Sequence, residues 1–353
     1  MKTFWLRSLL FLPVPLILIG VTYFVDPANL FREDYDAGIV NYLLEGYNVT
    51  NLGNCNERNI QKLYIEKMKK CPDVVVLGSS RGMSIDKDMI PNNHLINNSM
   101  TAGSLEDFLA IWYLYKERGC ENQIRQVWIS IDPWLLNDHN EIDHWRELSR
   151  EYTLCLDLLQ GKTATDTLPA ASSRNYSKYK ELVSFSYFKS ALEYLWVNKK
   201  IVHYEPTLSD ENEGMSKHTD GSIYYDAKYR YSSPEEIESR AQNLVAYTRK
   251  HLLGFTTLNP EYCLIFEQFV EYLQSQGVEV NFFLCPFHPL VYSYFEDHFP
   301  VAIKVETYCL DFAQSHHIQA YGSFNPEKYQ LENTDFLDGF HLREQVIARI
   351  IDQ

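Results

Sequence analysis

Apolar residues fall in a strongly uneven pattern along this chain. Residues 5–25 form an almost unbroken apolar run, interrupted by Arg7, Pro13 and Pro15, and long enough to cross a bilayer core as one helix. Beyond it, short continuous apolar runs alternate with stretches of helical period, the pattern of a buried parallel sheet. Val74-Val75-Val76-Leu77 is the first such run, and His94-Leu95-Ile96 is a shorter second one. Ser104, with Asp107 at N3, starts a helix whose residues Leu105, Phe108, Leu109 and Trp112 share one face and which ends at Gly119. Residues 127–131 make the next strand. Later, Asn259-Pro260-Glu261 provides a cap with proline at N1, Gly277 closes that helix, and residues 278–284 are again an apolar strand. This rhythm predicts an α/β protein built on a parallel sheet.

Between Trp134 and Leu258 the rhythm is lost. Aromatic helical segments such as Tyr187-Phe188-Lys189-Ser190-Ala191-Leu192 replace it, followed by a polar loop over residues 206–222 that is too rich in glycine, acid and serine to pack well. Ser233-Pro234-Glu235-Glu236 is a capping box for a further helix running to about Leu253. We read residues 134–258 as one large, mostly helical insertion over the active edge of the sheet, serving as a lid, a substrate platform or a neutral elaboration. Residues 26–70 read as a connecting segment that packs against the domain or the membrane face. No internal repeat or low-complexity tract is present.

Composition narrows the setting. A chain of 353 residues with 45% hydrophobic content is a folded protein of one large or two modest domains. Lys2 and Arg7 precede or interrupt the first apolar run, so the positive-inside rule puts the short amino end in the cytoplasm and everything after Asp26 outside. A cleaved signal peptide is the rival, but Thr22-Tyr23-Phe24-Val25 has no small-x-small site. All 47 acidic residues, but only 30 of the 32 Lys and Arg, lie beyond residue 25, a formal net charge of −17 for that part. Such a surface repels phosphate backbones, which argues against nucleic acid as a partner. Seven cysteines show no Cys-x-x-Cys or Cys/His ligand spacing, and their odd number leaves at least one unpaired or intermolecular; Cys285, on an apolar strand, reads as a small core residue.

Two separated stretches bear chemistry. The first apolar strand breaks into Gly78-Ser79-Ser80-Arg81, and near the carboxyl end Asp338-Gly339-Phe340-His341 sets a carboxylate and an imidazole three residues apart. A serine hydroxyl needs a base within hydrogen-bond reach and a third group that holds the base in the right tautomer. A glycine at a strand's carboxyl end allows a sharp turn onto the sheet rim, where open α/β folds bind ligands. Asp335 competes with Asp338 as the partner of His341, and the spacing within one loop favours Asp338.

Other candidates are weaker. His288, in Pro286-Phe287-His288-Pro289, lies past a strand end on the same rim, as a substrate contact or an ordered loop histidine. Arg81 either steadies an anionic substrate group or pairs with an acid of the fold. His316-His317 reads as helix-end capping, and His139 with His144 in an acidic loop is a weak metal candidate. With no zinc-protease or phosphate-cradling pattern, no metal, nucleotide or other cofactor is expected.

On these residues the chain resembles the SGNH (GDSL-like) hydrolase superfamily, most of all the membrane-anchored branch that works beside membrane-bound O-acyltransferases in modifying cell-surface polymers. That branch includes relatives of the D-alanyl-lipoteichoic acid assembly protein. The strand followed by Gly78, Ser79 and Ser80 looks like the first family motif, with Ser80 as nucleophile; Asp338 and His341 look like the last, before a final helix. Asn98-Ser99-Met100-Thr101-Ala102-Gly103 resembles the second block, whose glycine, here Gly103, offers an N–H to the oxyanion. Asp26-Pro27, Leu30-Phe31, residues 103–107, Asp132-Pro133-Trp134 and Pro286-Phe287-His288-Pro289 are also similar to the surface-polymer branch.

The third block departs from the family. Strand Val127-Trp128-Ile129-Ser130-Ile131 runs into Asp132-Pro133-Trp134 in place of an asparagine, with Asn137 slightly further on. An ionised Asp132 cannot donate to an oxyanion. Either Asn137 reaches back, or Asp132 serves elsewhere, for instance toward substrate, or the hole keeps only the backbone donors of Ser80 and Gly103. Losing one donor costs about a hundred- to a thousandfold in turnover. Gly78-Ser79-Ser80-Arg81-Gly82 also fits the elbow of α/β-hydrolases, but a nucleophile on the first core strand and an acid three residues before the histidine favour SGNH.

The resemblance therefore implies a three-layer, flavodoxin-like parallel sheet with an anchor over residues 1–25, a connecting segment over 26–70 and an SGNH-like domain over 71–353. It implies an extracytoplasmic serine-dependent acyltransferase or esterase acting on a surface glycan or related polymer, with a membrane-bound O-acyltransferase as partner. The alternative is a non-catalytic protein that presents polymer to that partner; a glycan-binding module built on the many tyrosines ranks last.

Overall fold

The computed structural model of the protein describes residues 13–32, 34–91, 93–137, 142–162, 174–198, 204–252 and 254–353. Among them are nine strands: β1 (Asn48–Thr50), β2 (Val74–Leu77), β3 (Leu95–Asn97), β4 (Gln126–Ile131), β5 (Glu205–Thr207), β6 (Ser216–Lys217), β7 (Ile223–Tyr224), β8 (Glu279–Leu284) and β9 (Gln319–Gly322). Five of them form one parallel sheet in the order β3-β2-β4-β8-β9. Counted among themselves these strands run 2-1-3-4-5, the flavodoxin-like order of a doubly wound α/β fold. Val75 of β2 sits in register with Ile96 of β3 and Val127 of β4, so the three apolar runs read from the sequence are neighbours in space.

Alternation along each strand divides the core into two layers. Val75, Leu77, Val127, Ile129, Phe282 and Leu284 face one side, packed with Phe108, Trp112, Phe266 and Phe269 of the helices Leu105–Glu117 and Pro260–Ser275. Val74, Val76, Trp128 and Phe283 face the other, under Val346, Ile347 and Ile350 of the final helix Glu344–Ile351. A strand buried on both faces favours apolar residues on both, which is why β2 reads Val-Val-Val-Leu with no polar alternation. Each large side chain so buried contributes about 1.5–3 kcal/mol.

The helix ends follow local chemistry. Ser104 and Asp107 form a reciprocal capping box, Asn259 accepts from the N–H groups of Glu261 and Tyr262, and Ser233 and Glu236 exchange the two bonds of a second box. Gly119 and Gly277 close their helices at positive φ.

Three expectations need amendment. The membrane-spanning helix expected over residues 5–25 lies partly outside the described residues; the described helix Pro13–Val25 has 13 residues, about 20 Å of rise, and among the described residues no helix is long and apolar enough to cross a membrane. The polar stretch 206–222 does pack: β5 and β6 flank β1, β7 extends them into a second, antiparallel sheet, and Ser216, Lys217, Asp220 and Ser222 are buried. Residues 26–70 are accordingly a structural partner of the insertion, because β1 is an inner strand of that small sheet, between β5 and β6. Arg58 fixes this segment to the main domain through a buried ion pair with Asp107 at 2.6 Å. A disulfide, Cys71–Cys120, joins the segment before β2 to the end of the helix Leu105–Glu117.

Candidate active site

Strand β2 ends at Gly78, and the chain turns at once. A Cβ on Gly78 would lie 2.8 Å from Ser130 Cβ and 2.9 Å from Ser99 Oγ, and one on Gly82 would meet the same two side chains at 2.9 and 3.1 Å. Only glycine lets the turn fold this closely over β4. The Gly82 and Met83 N–H groups donate back to the Ser79 and Ser80 carbonyls. Asn97, fully buried at the end of β3, holds the outgoing chain by donating to the carbonyls of Gly82, Met83 and Ile85. Ser80 is left on the rim.

The carboxyl-terminal loop meets it there. The Leu337 N–H donates to the His341 carbonyl at 2.8 Å, closing a tight turn that precedes the final helix. Within it, Asp338 Oδ1 accepts from the N–H groups of Phe340 (2.7 Å) and His341 (3.0 Å), so the backbone fixes the carboxylate. Gly339 is needed here because a Cβ would lie 2.9 Å from Val291 and 3.1 Å from Ala241 of the packed helices. His341 Nδ1 lies 3.0 and 2.9 Å from the two Asp338 oxygens, and its Nε2 lies 2.9 Å from Ser80 Oγ. A carboxylate only accepts, so Nδ1 bears the proton and Nε2 presents its lone pair to the Ser80 hydroxyl. Burial pushes the Asp338 carboxyl up, but the His341 ring and the two backbone donors outweigh it and hold the group down at about 2. It is therefore ionised at neutral pH.

Tyr225, which the sequence did not single out, closes the third side. Its hydroxyl donates to the Ser80 carbonyl at 3.2 Å and its ring packs beside His341, centroids 5.3 Å apart. A cavity of about 230 Å³ opens over Ser80 and His341, walled by Leu52, Cys55, Glu57 and Ile60 of the connecting segment and by Met215, Lys217, Ile223 and Tyr225 of the insertion. It shares Cys55, Glu57 and Thr101 with a wider, more polar groove of about 400 Å³ that passes Asn54, Asn56, Arg58, His144 and Glu147. No local motif marks these residues; the only signal in the sequence was a polar stretch following aromatic helices.

Several expected site residues sit elsewhere. Arg81 does not line the cavity: it is buried, with its guanidinium 2.8 Å from Asp132, on the Cys285 and Pro286 carbonyls, and 3.5 Å over the Phe287 ring. Asp132 is equally buried and serves that pair; burial pushes its carboxyl above the ordinary range while Arg81 pulls against the shift. His288 is fully buried, with Nδ1 accepting from the Leu290 N–H at the start of the helix Pro289–His298 and its ring against Phe336. All three were candidates for substrate binding, and all three instead build the rim from below.

The oxyanion donors change as well. The Gly103 N–H donates to the Met100 carbonyl at 2.9 Å, so it is engaged in its own turn. Gly103 matters through its missing side chain, since a Cβ would lie 2.3 Å from the Gly78 carbonyl oxygen. Asn137 is buried, its N–H donating to the Trp134 carbonyl, and it does not line the cavity. The Ser80 N–H is the expected donor left at the rim. Among the described residues no group of three His, Cys, Asp or Glu side chains is placed to hold a metal; His144 is exposed in a 3-10 turn, and His139 lies outside the described residues.

No protein-family model matches the chain, and no curated protein matches it in sequence.

Proposed function

We propose that the protein is an extracytoplasmic, membrane-anchored enzyme of SGNH-like design that moves or removes acyl groups on a surface glycan or related polymer. The observation that carries this reading is the continuous relay Ser80 Oγ–His341 Nε2 and His341 Nδ1–Asp338, each step about 3 Å or less. Ser80 Oγ attacks the ester carbonyl carbon and its proton passes to His341 Nε2. The carbonyl oxygen gains the negative charge, which the Ser80 N–H stabilises. When the C–O bond breaks, the departing alkoxide takes the proton from His341 and leaves as an alcohol along the polar groove. The acyl-serine is then opened by a second hydroxyl, from water or a sugar, whose proton travels through His341 back to Ser80 Oγ.

The compartment is part of the proposal. The Cys71–Cys120 disulfide suits an oxidising environment. The helix Pro13–Val25 packs against Phe185–Asn198, and between them Leu16, Ile17, Phe24, Phe185, Trp196 and Val197 stay exposed, Trp196 at 86%. An apolar surface of this kind, in a helix that the sequence precedes with further apolar residues from Trp5, suits a bilayer or a membrane-embedded O-acyltransferase as partner.

One observation favours a second reading. With the Gly103 N–H engaged and Asn137 away from the cavity, a single expected oxyanion donor remains, which suits a protein that presents polymer to the acyltransferase without turning it over. An activated-serine probe separates the two. On the enzymatic reading it labels the folded wild-type protein and not Ser80→Ala; equal labelling of both, or none on folded protein, leaves the presenting role.

A further inference from the structure

The cavity over Ser80 discriminates by polarity. Leu52, Ile60, Met83, Met215 and Ile223 give it a mostly apolar wall beside the nucleophile and its base. The polar groups that also reach it are already engaged. Glu57 accepts from the Thr101 N–H and, at 3.0 Å, from the Thr101 hydroxyl. Lys217 Nζ, buried with its chain, donates to the Gly221 carbonyl at 2.8 Å. The Tyr225 hydroxyl donates to the Ser80 carbonyl, and burial pushes the Cys55 thiol up to about 12, so it stays uncharged. A charged group seated against Leu52, Met83 and Met215 would give up water for apolar neighbours, a cost of several kcal/mol. Methionine side chains, by contrast, adapt to aliphatic guests of varied shape.

Size points the same way. At about 30 Å³ for each water-sized group, 230 Å³ holds roughly seven, well beyond what an acetyl group fills. The more polar groove that shares Cys55, Glu57 and Thr101 with the cavity receives the alcohol side of the ester.

We infer that Ser80 accepts uncharged, apolar acyl chains of several carbons, with the chain seated between Leu52, Met83 and Met215, and that it discriminates against acetyl and against aminoacyl groups. This rests on the serine chemistry proposed above and adds the class of acyl group. The test is a series of acetyl, butanoyl, hexanoyl and decanoyl esters of one chromogenic phenol, with an alanyl ester alongside. The expected kcat/KM rises about fourfold per added methylene from acetyl to hexanoyl and falls by decanoyl, and the alanyl ester is at least tenfold poorer than butanoyl. Met215→Trp, which fills the cavity, moves the optimum to acetyl; Leu52→Ala, a second variant that removes wall, moves it toward decanoyl. A flat series, an acetyl optimum or a preferred alanyl ester in wild type overturns the inference while serine labelling stands. No turnover of any ester together with no labelling of Ser80 overturns the underlying serine reading instead.

Discussion

Arg81 and Asp132 form an ion pair at 2.8 Å with both side chains shut off from water, one directly after Ser80 in sequence and the other at the end of the neighbouring strand β4. The same guanidinium reaches the Cys285 and Pro286 carbonyls past the end of β8 and the Phe340 carbonyl beside His341. One side chain thus ties together the serine turn, two strand ends and the histidine loop. Breaking a buried pair by removing one partner costs about 3–5 kcal/mol, whereas replacing both with apolar groups costs far less. Arg81→Met should therefore lower the urea midpoint sharply, and Arg81→Met with Asp132→Leu should recover much of it. Partial recovery of stability with ester turnover still depressed is the expected pattern, because the Cys285, Pro286 and Phe340 contacts are not restored.

Asp338→Asn removes the acceptor that sets the His341 tautomer. Turnover should fall about a thousand- to ten-thousandfold with little change in KM, measured on whichever ester wild type prefers. The pH dependence of stability follows from the depressed carboxyl. Folding holds it at about 2 against an ordinary 3.8, so its contribution is complete above the ordinary value and is lost as pH falls toward 2. The stability difference between wild type and Asp338→Asn should shrink across that window in urea titrations.

Gly103→Ala tests the close approach behind the Ser80 turn. The added Cβ would lie 2.3 Å from the Gly78 carbonyl oxygen, a backbone atom that cannot swing aside, so overpacking should cost about 1–3 kcal/mol and move the Ser80 turn. A loss of activity exceeding tenfold in the folded variant is expected. Gly53→Ala, where nothing lies within 4 Å, should be neutral in both stability and rate.

The Cys71–Cys120 bridge closes a loop with a sequence separation of 49, which by chain entropy stabilises by about 4 kcal/mol. Replacing both cysteines with serine should lower the denaturation midpoint without altering the acyl-chain preference. Reductant should destabilise wild type toward the same value and leave the double variant unchanged.

The sequence by itself determined what short-range physics controls. Caps at Ser104, Ser233 and Asn259 and glycine stops at Gly119 and Gly277 act within one helical turn, so the helices begin or end where the side chains say. Strands buried on both faces are mostly apolar, so β2, β4 and β8 stood out. Ser80, Asp338 and His341 were legible because a glycine turn after a strand and an acid three residues before an imidazole are local patterns, and the structure brings them within hydrogen-bond reach.

Tertiary structure alone decided the rest. β1 pairs with β5 across more than 150 residues, and no local pattern encodes that partnership, so a tract that looked too polar to pack became a wall of the cavity. Arg81, Asp132 and His288 looked like substrate ligands because charge at a rim is ambiguous until its partners are known; burial made them supports. Gly103 kept its position but not its donor role, since where an N–H points is set by the turn around it rather than by the residue that bears it.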